Sequence, residues 1–220
     1  MSNFGLYVFD AYGTLFDVHS AVARHRALVG PEADRLSDIW RTKQLEYTWT
    51  RSLMGAYRDF MALTEDALDF AAARCGGISA EARTKLLSAY ETLDAFADVA
   101  PTLAALKARG AKLVILSNGT PAMLESAVRS AGLADLLDPS ISVADVGVFK
   151  TDFRVYERVG ARYGVLPSAI SFQSSNRWDV AGAAKFGFRS VWINRTKAPD
   201  EYLDMRPAAV LDGLAGLLSL

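Results

Sequence analysis

Several short apolar runs in this chain end directly at polar or charged side chains that could do chemistry. Asp10 follows the run at 6–9 and precedes a turn that contains Gly13 and Thr14. A carboxylate is a weak nucleophile in water, and it becomes useful where fixed donors orient it and water is excluded. A lone aspartate in such a place is more often an Asx-turn or a helix cap. Asp10 therefore has to be judged together with the residues at the other run ends.

The next three apolar runs end in groups that suit the same chemistry. Ser117, Asn118 and Gly119 end the second run, where a strand would lead into a helix. The free N–H groups and positive dipole end of a helix start can hold a carboxylate or phosphate, and these residues also suit a helix cap. Lys150 and Asp179 follow the third and fourth runs and are predicted to form a buried ion pair. Such a pair is costly to bury and is therefore a candidate for function.

The segments between these run ends carry the pattern of helices. Helices are predicted at about 101–109, 121–132 and 152–164, where proline lies near the start or glycine at the end. Strands that alternate with helices predict a parallel sheet covered on both faces, the doubly wound or Rossmann-like α/β fold. Ligands bind at the carboxyl ends of the strands in such a sheet, so the polar groups are predicted to meet there. The predicted strands are 6–10, 113–117, 141–143, 170–174 and 191–194.

The chain between residues 17 and 97 has a different pattern. No proline interrupts 32–100, and apolar residues recur at helical spacing. This predicts about four helices and almost no strand. Because the block lies between the first strand and the remaining ones, it is predicted to be an inserted helical cap domain, 17–97, on a Rossmann-like core domain formed by 1–16 and 98–220.

Composition excludes several classes of protein. Of the 220 residues, 51% are apolar and 22% are charged, which is typical of a globular chain, and the net charge of -1 gives no reason to expect nucleic acid or an anionic membrane as partner. The single cysteine, Cys75, cannot form an internal disulfide. The apolar start meets Asp10 too soon for a secretory signal, and no run approaches the roughly 20 apolar residues that span a bilayer. These features predict a soluble, cytoplasmic protein.

Four motifs in the chain resemble those of a known enzyme family. They are DAYGTLFD at 10–17, SNG at 117–119, SSNRWD at 174–179 and FGF at 186–188. With Arg41 and Phe60 of the predicted cap, they resemble the L-2-haloacid dehalogenases of the haloacid-dehalogenase superfamily over about 9–196. One departure is Thr151, because the family usually has proline directly after the lysine.

The resemblance implies hydrolytic dehalogenation of short-chain L-2-haloalkanoic acids to D-2-hydroxy acids plus halide. Asp10 would form an aspartyl ester with inversion at C2, Arg41 would receive the halide, and Asp179 would help activate water. The implied catalytic residues are Asp10, Thr14, Arg41, Lys150, Ser174, Asn176 and Asp179. The implied substrate-binding residues are Tyr12, Leu45, Phe60, Ser117, Asn118, Tyr156 and Trp178. The implied partners are the 2-haloacid and halide, and the family expectation is a homodimer.

Two other functions remain open at this point. A magnesium-dependent phosphatase or phosphonate hydrolase of the same superfamily would usually have aspartate at the position of Tyr12 and further acids near Asn176. A binding or regulatory module could also have kept the fold, since fold alone does not fix function. Tyr12 and Asn176 disfavour the phosphatase, and neither a metal nor a cofactor is predicted.

Overall fold

The structure is a computed structural model that describes residues 4–220. Within this range, one sheet of six parallel strands has the order β3-β2-β1-β4-β5-β6, which places β1 between β2 and β4. In sequence order the strands are β1 (Leu6–Phe9), β2 (Lys112–Ser117), β3 (Ile141–Ser142), β4 (Ile170–Ser174), β5 (Arg189–Ile193) and β6 (Ala209–Leu211).

Helices separate the first five strands along the chain. They are α1 (Ser20–Arg24), α2 (Arg26–Val29), α3 (Ala33–Met54), α4 (Phe60–Arg74), α5 (Ala80–Tyr90), α6 (Val99–Ala108), α7 (Pro121–Ser130), α8 (Phe153–Tyr163) and α9 (Arg177–Phe186). Every residue of β1 is buried, as expected for the central strand of a sheet covered on both faces. The predicted doubly wound α/β fold is confirmed.

The helical block predicted between β1 and the other strands is present as α1–α5, of which α1 and α2 are short. The chain leaves the sheet and returns to it at one place, where Phe16 forms an antiparallel bridge with Ala95. The Asp17 N–H donates to the Asp94 carbonyl at 2.8 Å, and the Phe96 N–H donates to the Leu15 carbonyl at 3.1 Å. This paired junction supports our proposal that the two domains divide near residues 17 and 97.

Two details of the fold differ from the sequence expectation. The edge strand β6 was not predicted, because it has three residues and its central Val210 is 51% exposed, so it lacks the apolar signal of a buried strand. Along α8, the apolar spacing predicts that Val155, Val159 and Tyr163 face inward. The two valines are buried, but Tyr163 is only half-buried and Tyr156 is buried completely. Over residues 4–220, every helix is too short or too polar to cross a membrane.

Candidate active site

The carboxylate of Asp10 lies just beyond the end of β1 and is held by four side-chain donors. Its Oδ2 accepts hydrogen bonds from the Thr14 hydroxyl at 2.9 Å, the Asn176 amide at 2.8 Å and the Ser174 hydroxyl at 3.3 Å. Its Oδ1 accepts one from the Lys150 ammonium at 3.0 Å. All five residues are predicted catalytic residues, and the structure brings them together. The arrangement leaves Asp10 oriented and only 5% exposed.

The turn after β1 fixes the most important of these donors. Gly13 has a φ of 92°, which a residue with a Cβ rarely adopts, and this allows the chain to turn back toward Ala11. The Thr14 hydroxyl accepts the Ser175 N–H at 2.8 Å while it donates to Asp10. Because this hydroxyl has one proton, the bond from Ser175 directs that proton to the carboxylate.

Lys150 is shared by two buried carboxylates. Its ammonium lies 3.0 Å from Asp10 Oδ1 and 2.8 Å from Asp179 Oδ2, and its side chain is 1% exposed. The predicted Lys150–Asp179 ion pair is therefore present. Burial alone would lower the pKa of Lys150, but the two carboxylates outweigh burial and raise it.

The single ammonium cannot fully compensate both acids. Burial, together with the charge of Asp10, raises the pKa of Asp179 to about 6, although Lys150 opposes the shift. A raised pKa beside a lysine shows that the loss of hydration exceeds the attraction of a shared cation. Asp179 is therefore a carboxylate whose proton affinity suits general base chemistry near neutral pH.

Tyr156, a predicted substrate-binding residue, lies beside Asp179. Its hydroxyl donates to Asp179 Oδ1 at 2.8 Å, and it does not line the cavity beside Asp10. The residue is completely buried among Phe172, Phe186 and Phe188. The structure therefore shows a contact of Tyr156 with Asp179, and its contact with substrate stays a prediction.

A very small cavity of about 10 Å³ lies against Asp10. One side comes from residues that follow β1, β2 and β4, and the other side comes from α3 and α4 of the helical block. Its lining residues are Asp10, Tyr12, Arg41, Leu45, Phe60, Ser117, Asn118, Asn176 and Trp178. All nine are predicted site residues. Thr14, Ser174, Lys150 and Asp179 lie behind this lining, around the carboxylate of Asp10.

Arg41 reaches from α3 into this cavity. One guanidinium nitrogen donates to the Tyr12 carbonyl at 3.1 Å and to Asn176 Oδ1 at 3.3 Å, and another donates to Gln44 Oε1 at 2.8 Å. Each of these acceptors is uncharged. The positive charge therefore stays available beside Asp10 for an anion that appears in the cavity.

Aromatic rings form the apolar part of the cavity. The Tyr12 ring stacks on Tyr90 at 5.6 Å and contacts Phe60 at 5.5 Å. Burial raises the pKa of Tyr12 well above its usual value, so the hydroxyl is neutral. This hydroxyl is buried without a hydrogen-bond partner among residues 4–220. A Cβ on Gly119 would lie 2.8 Å from the Tyr12 ring, so glycine is needed for the ring to pack here.

The loop after β2 holds Asn118 and Ser117 at the cavity. Asn118 Oδ1 accepts the backbone N–H of Lys150 at 3.0 Å, and Ser117 Oγ accepts the N–H of Gly119 at 3.1 Å. The cap of α7 is Thr120, whose hydroxyl accepts the Met123 N–H at 3.2 Å. The expected capping role of residues 117–119 is therefore wrong, because the next residue caps the helix while the side chains of Ser117 and Asn118 bond to Gly119 and Lys150.

Sequence reasoning missed Gln44 and Tyr90. Gln44 is buried and bonds to Arg41, and Tyr90 is buried against Tyr12. The available signal was the spacing of three residues between Arg41 and Gln44, which places two polar side chains on one face of a helix. Tyr90 had no such signal, since its contact with Tyr12 joins residues far apart in the chain.

Comparisons with known proteins agree with this geometry. A family model for a haloacid dehalogenase-like hydrolase matches residues 4–187. (S)-2-haloacid dehalogenase 1 of Pseudomonas sp. (strain CBS-3) is 49% identical over 196 residues, which cover 89% of this chain and 86% of the relative. The crystal structure of a dehalogenase is 43% identical with a TM-score of 0.97, covering 100% of this chain and 97% of the other.

A further solved structure is L-2-haloacid dehalogenase from Xanthobacter autotrophicus with chloropropionic acid covalently bound. It is 35% identical with a TM-score of 0.88, and the match covers 99% of this chain and 98% of that one. The fold, the aspartate after the central strand and these matches define a hydrolase of the haloacid-dehalogenase superfamily. Within that superfamily, the chain belongs to the L-2-haloacid dehalogenases.

Proposed function

We propose that this protein hydrolyses short-chain (S)-2-haloalkanoic acids to (R)-2-hydroxy acids and halide through a covalent ester on Asp10. The observation that carries the proposal is the pairing of an oriented carboxylate with an arginine across one small, partly apolar cavity. The covalent chloropropionic acid in the Xanthobacter autotrophicus enzyme supports the same chemistry.

In the first step, a carboxylate oxygen of Asp10 attacks C2 of the substrate from the side opposite the halogen. The carbon–halogen bond breaks, the halide takes the electron pair, and C2 inverts as its bond to Asp10 forms. Arg41 stabilises the charge that develops on the halogen, and the positive ring edges and amide of Phe60, Trp178 and Asn118 surround it. Ser117 and backbone N–H groups near the start of α7 hold the substrate carboxylate.

In the second step, water attacks the carbonyl carbon of the Asp10 ester. Asp179 takes one proton from this water, and the tetrahedral intermediate then expels the product oxygen, which leaves as a hydroxyl group. Asp10 returns to a carboxylate. The cycle consumes one water and releases halide, hydroxy acid and one proton.

Ester formation changes the electrostatics around Lys150. Free Asp10 carries a negative charge and shares Lys150 with Asp179, whereas esterified Asp10 is neutral. Lys150 then has Asp179 as its one charged partner among these groups. This shared lysine supports the proposal that Asp179 is charged in the ester intermediate, before it takes the proton from water.

Replacing Asp10 tests the covalent step. Asp10→Asn should abolish chloride release from (S)-2-chloropropionate and leave the fold unchanged, because an amide cannot form the ester. A single turnover in ¹⁸O water with excess parent enzyme should give hydroxy acid with little label, since its oxygen comes from Asp10. Heavily labelled product on that first turnover would instead show direct attack by water.

The oligomeric state belongs to the proposal as well. We infer a homodimer, and exposed apolar side chains near the end of α3, such as Leu53 and Met54 at 88% and 67% exposure, support it. Light scattering on the purified chain should give twice the mass of 23.9 kDa. A mass that stays at one chain at every concentration would contradict it.

A further inference from the structure

A buried polar network behind the cavity wall holds the guanidinium of Arg41. The carbonyl oxygen of Gln44, Oε1, accepts a hydrogen bond from Arg41 at 2.8 Å and another from the Tyr90 hydroxyl at 3.0 Å. The amide nitrogen of Gln44 donates to the Thr64 hydroxyl at 2.7 Å, and that hydroxyl donates to the Phe60 carbonyl at 2.7 Å. Gln44, Thr64 and Tyr90 are all buried.

The orientation of the Gln44 amide is determined by its partners. Arginine can only donate, so the oxygen of Gln44 must face Arg41, and its NH₂ group must face Thr64. Three helices contribute to this network, because Gln44 lies on α3, Thr64 on α4 and Tyr90 on α5. The network therefore fixes Arg41 relative to Phe60, another residue that lines the cavity.

The charge of this partner is as important as its position. A glutamate in place of Gln44 could accept the same two hydrogen bonds, but its negative charge would lie beside the guanidinium and offset the attraction for an anion. A neutral amide holds the guanidinium through a hydrogen bond and leaves its charge uncompensated. Burial strengthens this difference, because charges interact more strongly away from water.

We propose that Gln44 is a positioning residue that holds Arg41 toward the departing halide without neutralising it. The inference rests on the proposed function and deepens it. It predicts that the neutral charge of the Gln44 amide, in addition to its shape, determines the rate at which a poor leaving group such as chloride departs. Chloride leaves less readily than bromide, so chloride substrates depend more on Arg41.

The test is a comparison of Gln44→Glu with the parent protein on (S)-2-chloropropionate and (S)-2-bromopropionate. Gln44→Glu is nearly isosteric, but its carboxylate cannot donate to Thr64, so a moderate fall in Tm is expected and the ratio of the rates on the two substrates is the deciding measurement. We expect kcat on the chloride substrate to fall at least about tenfold, equivalent to about 1.4 kcal/mol, with a smaller loss on the bromide substrate. Inhibition by added chloride should weaken in the same variant, measured against sulfate at equal ionic strength.

Two further variants separate charge from structure. Thr42→Glu adds the same charge on the exposed face of α3, and it should behave like the parent. Gln44→Met removes the acceptor without adding charge, and its loss should also be greater on the chloride substrate than on the bromide substrate. An equal loss in Thr42→Glu would overturn the role of Gln44.

The remaining outcomes also decide the question. Equal losses on both substrates, together with a lower Tm, would show that Gln44 is merely structural and would overturn the inference. Unchanged rates in Gln44→Glu would overturn it as well. If the parent protein released neither halide, the proposed function itself would be wrong, which distinguishes the two failures.

Discussion

Asp179 titrates in the range where an enzyme of neutral pH can use it. Because its pKa is raised to about 6 in the free protein and a general base must be deprotonated, kcat should be constant at pH 7 to 8 and should fall at acid pH where ester hydrolysis limits turnover. The acid limb of kcat should lie below pH 6, since the esterified Asp10 no longer raises the pKa of Asp179. Steady-state halide release measured across pH with saturating substrate checks this limb. Activity that stays constant down to pH 4.5 would contradict a role for Asp179 as base.

Tyr156 should tune this titration although it lies outside the cavity. Its hydroxyl donates to Asp179 at 2.8 Å and stabilises the charged carboxylate. Tyr156→Phe should therefore raise the pKa of Asp179 further and move the acid limb of kcat to higher pH, with little change in KM at pH 8. Tyr163→Phe is a matched control on the same helix, at a half-buried position. A KM effect without a shift of the limb would instead favour the originally predicted substrate contact.

At the scale of single residues, the sequence could predict the site residues that directly follow strands. It could not predict the residues that support them through hydrogen bonds. Asp10, Lys150 and Asp179 each come after an apolar run, and parallel strands bring such positions to one edge. The contact between Tyr156 and Asp179 depends on how α8 packs against α9, which periodicity does not determine. The contacts of Gln44 with Thr64 and Tyr90 likewise depend on how three helices pack together, although the spacing of Arg41 and Gln44 was visible in the sequence.

Among the helices, α9 depends on glycine at one position. A Cβ on Gly182 would lie 2.7 Å from Cγ2 of Thr151 and 2.8 Å from the hydroxyl of Tyr156. Gly182→Ala should therefore displace α9, which carries Asp179, and lower both kcat and the free energy of unfolding, the latter by about 1–3 kcal/mol. Denaturant unfolding and halide release measure the two effects.

Gly5→Ala is the matched control for that prediction, because a Cβ there meets nothing within 4 Å. It should leave activity and stability unchanged. Parent-like behaviour of Gly182→Ala would show that α9 can shift without moving Asp179. The close approach at Gly182 also places Thr151, the residue that departs from the family pattern, directly against α9.

Elements were predictable where burial produced a strong pattern. The strands β1, β2 and β4 are mostly apolar and buried, and α7 and α8 have clear starting residues, so their positions follow from sequence. The edge strand β6 is half-exposed and short, and the cap of α7 depends on which of several polar residues faces the helix start. Those details depend on neighbours that sequence alone does not specify.

At the scale of the whole molecule, the Lys150 ammonium at the centre of the site bears on whether the enzyme requires a metal ion. Asp10, Lys150 and Asp179 come from distant parts of the chain, and the Lys150 ammonium occupies the space between the two carboxylates. A cation is therefore already in place where related phosphatases would use magnesium. We expect full dehalogenase activity in excess EDTA and no stimulation by added Mg²⁺. Loss of activity in EDTA with recovery in Mg²⁺ would contradict this prediction and would favour the magnesium-dependent phosphatase instead.

The domain arrangement was predictable from the position of the helical block, but the cavity was not. Its closure requires Arg41 and Phe60 from that block to meet residues at the sheet edge. No local sequence pattern specifies that these residues lie together. Only the motifs that resemble the dehalogenases predicted it, since they identify residues that act together in relatives of the same fold.

The contacts of Arg41 have a consequence for the timing of product release. Its hydrogen bonds to the Tyr12 carbonyl and to Asn176 fasten α3 to the sheet edge, while the same guanidinium receives the departing halide. A newly formed anion competes with those two acceptors for the same N–H groups. In the proposed mechanism, cleavage of the carbon–halogen bond therefore weakens the hydrogen bonds that connect α3 to the sheet edge. The same step that forms halide thus favours opening of the cavity and release of the product.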